Sequence, residues 1–143
     1  MIIVTGAAGF IGRFVAERLL ERGDEVVGID NFNAYYDPGL KEARIATLAN
    51  LPGFRLERID IADADAMAWL LRETGARHVV HLAAQAGVRH SLENPFAYEQ
   101  ANLKGHLSLL EACRHAPDFE HLVYASSSSV YGDRPEGAAA FSA

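Results

Sequence analysis

Three glycines at three-residue intervals, Gly6, Gly9 and Gly12, lie between an apolar run and the first segment of helical period. This junction constrains the chain more than any other feature. Glycine lets the backbone turn tightly and come close to a ligand. The helix that follows offers unpaired N–H groups and the positive end of its dipole. Such a corner suits an anion, a pyrophosphate above all. A glycine triplet by itself is equally a plain turn. Here a strand precedes it, a helix follows it, and Asp30 closes the second apolar run, which is the context a dinucleotide site requires. The spacing is GxxGxxG, not GxGxxG.

The rest of the chain repeats the same alternation. Met1 to Thr5 is a continuous apolar run, and Ile11, Val15 and Leu19 then recur at helical spacing until Gly23. Val26 to Asp30 reads as a second strand, followed by a polar, aromatic stretch from Asn31 to Pro38 and a short helix over Lys41 to Asn50. Leu51-Pro52-Gly53 breaks that helix before a third strand, Phe54 to Ile59. A helix over Ala64 to Glu73 leads to a fourth strand, His78 to Leu82. Asn94 as N-cap and Pro95 at the first position open a long helix to about His115, and Leu122 to Ala125 makes a fifth strand. Strands apolar throughout, each followed by a helix, imply a parallel sheet covered on both faces. The expected architecture is a Rossmann-type, doubly wound α/β domain of five strands over residues 1–143.

Composition removes several classes of function. Nineteen acidic against thirteen basic residues give a net charge of −6 with no basic run, which excludes nucleic acid and anionic membranes as natural partners. The single cysteine, Cys113, cannot form an internal disulfide and suits a reducing cytoplasm; its apolar setting reads as core. Six histidines are scattered without ligand spacing, so no metal is expected. A carboxylate at Asp30 would accept hydrogen bonds from the adenosine ribose hydroxyls and repel a 2′-phosphate. No arginine or lysine follows it within ten residues. NAD is therefore favoured over NADP.

Taken in order, Thr5-Gly6-Ala7-Ala8-Gly9-Phe10-Ile11-Gly12, Asp30-Asn31, Asp60-Ile61, His81-Leu82-Ala83-Ala84 and Ser126-Ser127-Ser128-Ser129-Val130-Tyr131-Gly132 resemble the extended short-chain dehydrogenase/reductases along essentially the whole chain. The resemblance implies that Phe10 and Ile11 line the pyrophosphate, and that Asp30 with Asn31 meets the adenosine end. It further implies that Asp60 and Ile61 cradle the adenine, that Leu82, Ala83 and Ala84 pass under the cofactor, and that Asn102 reaches the supporting loop. Ser127 matches the hydroxyl that orients the reacting sugar hydroxyl. Blander readings stand beside these: Asp60 as a strand end, Asn102 as the polar face of a helix, the serines as a polar loop.

Asp30-Asn31-Phe32-Asn33, Tyr35-Tyr36-Asp37-Pro38, Leu40-Lys41 and Arg44 resemble the UDP-glucuronate 4-epimerases within that family, as does Gln85-Ala86-Gly87-Val88-Arg89-His90-Ser91. On that resemblance Gly87, Val88, Arg89 and Ser128 belong to the substrate side. Arg89 either pairs a uronate carboxylate or makes a surface salt bridge. Related 4,6-dehydratases carry an Asp-Glu pair where this chain has Ser128-Ser129, and removing water needs an acid and a base. The implied whole enzyme is a homodimer that oxidises the sugar at C4 and reduces it from the other face, with a Tyr-x-x-x-Lys pair moving the proton. That pair is missing: the only lysines are Lys41 and Lys104, preceded four residues earlier by Asp37 and Gln100. The chain ends sixteen residues past Ser127. Phe141-Ser142 still resembles family sequence. A truncation before the sixth strand and the substrate lobe is expected, and with it inactivity of the chain alone. A UDP-hexose 4-epimerase, a related decarboxylase or dehydratase, and a non-catalytic nucleotide-binding module are the alternatives.

Overall fold

The computed structural model describes residues 1–132; the reading of Phe141-Ser142 lies outside them. Five parallel strands, β1 (Ile2–Thr5), β2 (Val26–Ile29), β3 (Phe54–Glu57), β4 (His78–His81) and β5 (His121–Tyr124), form one sheet in the order β3-β2-β1-β4-β5. The chain winds outward one way from β1 to β3, then returns to place β4 on the other side of β1. The order thus reverses between β1 and β4, and open α/β sheets bind ligands at the carboxyl ends of the strands at such a point.

Alternation along the strands distributes two cores. Val4 and Val26 pack with Ala16 of helix α1 (Phe10–Glu21) and with Ile45 and Leu48 of α2 (Pro38–Leu48). Their neighbours Ile3 and Val27 face the other way. They pack with Met67, Leu70 and Leu71 of α3 (Ala64–Thr74) and with Leu109, Ala112 and Cys113 on the last long helix. Successive side chains of a strand point to opposite faces, so an unbroken apolar run is what two covered faces need.

The long helix expected from Asn94 to His115 is present but not uniform. It begins as α5 (Pro95–Tyr98), passes through a π-helical stretch at Glu99–Gly105, and continues as α6 (His106–His115). A short helix, α4 (Val88–Glu93), precedes it where no helix was expected. Gly87 lies just before α4 at φ +95, a conformation L side chains rarely adopt. Among the described residues, no helix is long and apolar enough to cross a membrane, and no group of three or more potential ligands is placed to hold a metal ion.

Candidate dinucleotide-binding site

Each glycine of the first motif occupies space that a side chain would fill. Gly6 sits at φ +70, where a Cβ would fall 2.8 Å from the Ala83 nitrogen and 2.9 Å from the Leu82 carbonyl carbon. On Gly9 a Cβ would lie 2.9 Å from the Gly6 oxygen, and on Gly12 it would collide with that same oxygen. Helix α1 therefore starts pressed against the turn.

Helix caps show what the motif leaves free. Asp37 caps α2 through Gly39 N (2.8 Å), Asp63 caps α3 through Ala66 N (3.0 Å), and Asn94 caps α5 through Ala97 N (3.3 Å). Helix α1 starts at Gly9 with no side-chain cap. Its first-turn amides, at Phe10, Ile11 and Gly12, have no earlier helical carbonyl to bond, and an anion satisfies them. Phe10 and Ile11, at the start of α1, are 69% and 60% exposed.

The cleft beside this turn gathers most of the residues expected at the cofactor. Gly6, Gly9, Asp30, Asn31, Asp60, Ile61, Leu82, Ala83 and Ala84 all line it. Asn31 Nδ2 donates to Asp60 Oδ2 (3.1 Å), and Asp60 Oδ1 accepts from Ala62 N (2.9 Å), so Asn31 is tied to the predicted adenine-side carboxylate. Asp30 is buried and accepts from Ala8 N at Oδ2 (3.2 Å) and from Phe32 N at Oδ1 (2.9 Å).

Lys41 is the residue that sequence reasoning missed. Its Nζ lies 3.1 Å from Asp30 Oδ1 and donates also to Asn33 Oδ1 (3.2 Å), with the Lys41 and Asp30 side chains each only 6% exposed. The lack of a basic residue within ten positions of Asp30 does not leave it without a cation: helix α2 returns Lys41 to it from eleven residues on. Asp37-Pro38 marks the start of that helix and puts Lys41 in its first turn, the signal that could have found it.

Beneath the cleft, Thr5 Oγ1 accepts from both Leu82 N and Ala83 N, each at 3.1 Å, and lies 2.7 Å from His81 Nδ1. With two donors already on the oxygen, its one proton goes to the imidazole, so Nδ1 is unprotonated and His81 neutral. Burial, reinforced by the stacked ring of His106 at 5.1 Å, lowers the His81 pKa to about 4. His81 closes β4 and, through Thr5, is a structural support for Leu82 and Ala83 just beyond it. Cys113 is buried in the core, its thiol pKa pushed up to about 11 by that burial.

Asn102, within the π-helical stretch, makes a reciprocal pair with the Gln85 backbone: Oδ1 accepts from Gln85 N (2.8 Å) and Nδ2 donates to Gln85 O (3.0 Å). It holds the loop after β4. Next to it, Asn102, His106, Tyr124 and Ser127 line a second hollow that shares Leu82 to Ala84 with the cofactor cleft. Ser127 caps a 3₁₀ turn (Ser128–Tyr131), its Oγ accepting from Ser129 N at 3.2 Å, which leaves the hydroxyl proton to donate elsewhere. Ser128 belongs to that turn. Val88 and Arg89 lie exposed on α4, and Arg89 has no carboxylate partner among the described residues. They stand apart from the cofactor cleft.

A reversal-point cleft, an uncapped helix start over three obligatory glycines, and a carboxylate at the end of β2 define a nucleotide-cofactor domain. Residues 2–142 match the model of the NAD dependent epimerase/dehydratase family, and the chain belongs to that family. NAD is its cofactor. The chain is 51% identical over 131 residues to UDP-glucuronate 4-epimerase 3 of Arabidopsis thaliana, matching 92% of this chain and 30% of the relative. Crystallised UDP-glucuronic acid 4-epimerase from Bacillus cereus, in complex with UDP-glucuronic acid and NAD, superposes with a TM-score of 0.84 at 38% identity, covering 96% of this chain and 43% of that one. UDP-glucose 4-epimerase of Thermus thermophilus, in complex with NAD, gives 0.79 at 40% identity, covering 98% and 42%. The chain thus spans less than half the length of each.

Proposed function

We propose that this chain is the NAD-binding part of a cytoplasmic, homodimeric 4-epimerase acting on UDP-glucuronate. The observation that carries this reading is the joining of the cofactor cleft to the Ser127 hollow through Leu82, Ala83 and Ala84. A sugar bound against Ser127 would lie beside the redox-active end of a dinucleotide whose pyrophosphate rests on α1. NAD, when bound, accepts a hydride from the sugar and returns it.

This chain's own residues bind and orient. The amides at the start of α1 hold the pyrophosphate, Asp30 the adenosine ribose, and Asn31, Asp60 and Ile61 the adenine. Ser127 donates its free proton to the sugar's reacting hydroxyl and fixes its direction. Arg89, exposed and without a carboxylate partner among the described residues, suits a uronate carboxylate. Proton removal requires a base that the sequence does not carry in the Tyr-x-x-x-Lys form.

The test is to join these residues to the remaining portion of a UDP-glucuronate 4-epimerase, including its Tyr-x-x-x-Lys pair. The fusion is expected to interconvert UDP-glucuronate and its C4 epimer, followed by NMR, while the 143-residue chain alone shows no turnover. Ser127→Ala in the fusion should lower turnover far more than NAD binding. A fusion that epimerises UDP-glucose in preference to UDP-glucuronate would overturn the substrate assignment.

A further inference from the structure

The Tyr35-Tyr36 pair was singled out in the sequence without a role, and the fold places Tyr35 where two walls of the cleft meet. Its own segment, between β2 and α2, carries Asn31 and Asn33 on the cofactor side and is anchored through Lys41 to Asp30. Across the cleft runs the segment that leaves β4 and enters α4. Tyr35 lies with its ring centroid 4.7 Å from that of His90 on α4, tilted by 43°.

The Tyr35 hydroxyl presses on Gly87, at a point where any Cβ would collide with it. From behind, Tyr98 of α5 donates its hydroxyl to the Gly87 oxygen, and its ring lies 6.3 Å from His90. Gly87 is thus held between two tyrosines, and positive φ together with lack of space requires glycine there. Tyr35 lines the cofactor cleft itself.

The geometry points to Tyr35 as a positioning residue that clasps the β2–α2 loop to Gly87 and His90, closing the cleft over the bound dinucleotide and holding the neighbouring substrate-side backbone in register with it. This deepens the proposed function and rests on that reading of the cleft. The clasp touches neither the pyrophosphate amides nor Asp30. It acts on how fast the cofactor leaves.

The experiment uses the 143-residue chain loaded with NAD, chased with excess fluorescent etheno-NAD. Tyr35→Ala is expected to speed NAD release about three- to tenfold, the range an aromatic pair supplies. Tyr35→Phe, which keeps the ring on His90, should restore most of the retention. His90→Ala should speed release similarly, and the double variant should exceed the larger single effect little, since both remove one contact. Tyr35 is 44% exposed, and thermal melts without NAD should be unchanged. Normal NAD binding with unaltered release in Tyr35→Ala overturns the clasp alone. A parent chain that binds no NAD overturns the cleft assignment and the clasp together. Faster release matched by an equal loss of melting temperature without NAD would show a merely structural contact and also overturn it.

Discussion

Asp30 and Lys41 bury opposite charges side by side, and the consequence is counted in lone pairs. An ionised carboxylate offers about four acceptor positions. Ala8 N, Phe32 N and Lys41 Nζ take three of them, leaving about one for a ribose hydroxyl. A 2′-phosphate offers no comparable donor. Asp30→Asn is expected to weaken NAD binding and narrow the gap to NADP, as read by calorimetry with both dinucleotides. Equal affinities in the unaltered chain would refute this account of selectivity. Lys41→Met leaves the carboxylate buried without its cation, and loss of one partner of a buried pair costs about 3 kcal/mol or more. Urea denaturation should show a loss of that order. The importance of Asp30 was legible because it ends a strand behind a glycine turn. Lys41 was not, because its relation to Asp30 exists only once α2 has folded back.

At the scale of elements, all five strands were legible from their apolar content and the glycine or proline beside each. Coverage on both faces, however, holds only for β1 and β2: edge strand β3 alternates Phe54-Arg55-Leu56-Glu57, and β5 leaves Val123 and Tyr124 exposed. Helix α4 was not legible. It is six residues long and exposes Val88 and Leu92 at 83% and 84%, so it carries no inward stripe for a periodicity to reveal. The π-helical stretch was hidden for another reason: its residues read as an uninterrupted helix, and only packing distinguishes the two. Gly105 shows that packing, since a Cβ there would come within 2.7 Å of the Ile61 side chain. The Ser127 hollow follows from the end of β5, but its link to Asn102 needed the fold. Asn102→Ala deletes both bonds to Gln85. At about 1 kcal/mol per bond, stability should fall by roughly 2 kcal/mol, and amide exchange should quicken at Gln85 and its neighbours in the loop after β4. Unchanged exchange there would mean that Asn102 does not hold the loop.

The whole molecule is tied to acidity through His81. Its pKa in the fold, about 4, lies below the ordinary 6.5, so between these values the unfolded chain binds the extra proton and the folded one does not. The stabilisation is complete above about pH 6.5 and is lost as pH falls towards 4, to a total of roughly 3 kcal/mol. Denaturant midpoints at pH 7.5 and pH 4.5 should differ accordingly, and His81→Gln should flatten that part of the difference. A pH-independent midpoint over this interval would contradict the buried, neutral imidazole. The π-helical stretch has a reach of its own at this scale. Each residue turns a helix by about 100°, and a π turn is one residue wider than an α turn. The stretch therefore works as a phase shifter. Downstream, α6 keeps Leu109, Ala112 and Cys113 aimed at α3, while within the stretch itself Asn102 points at Gln85. One helix can then serve two masters, and substitutions can retune the cleft without disturbing the rotational setting on which the core depends.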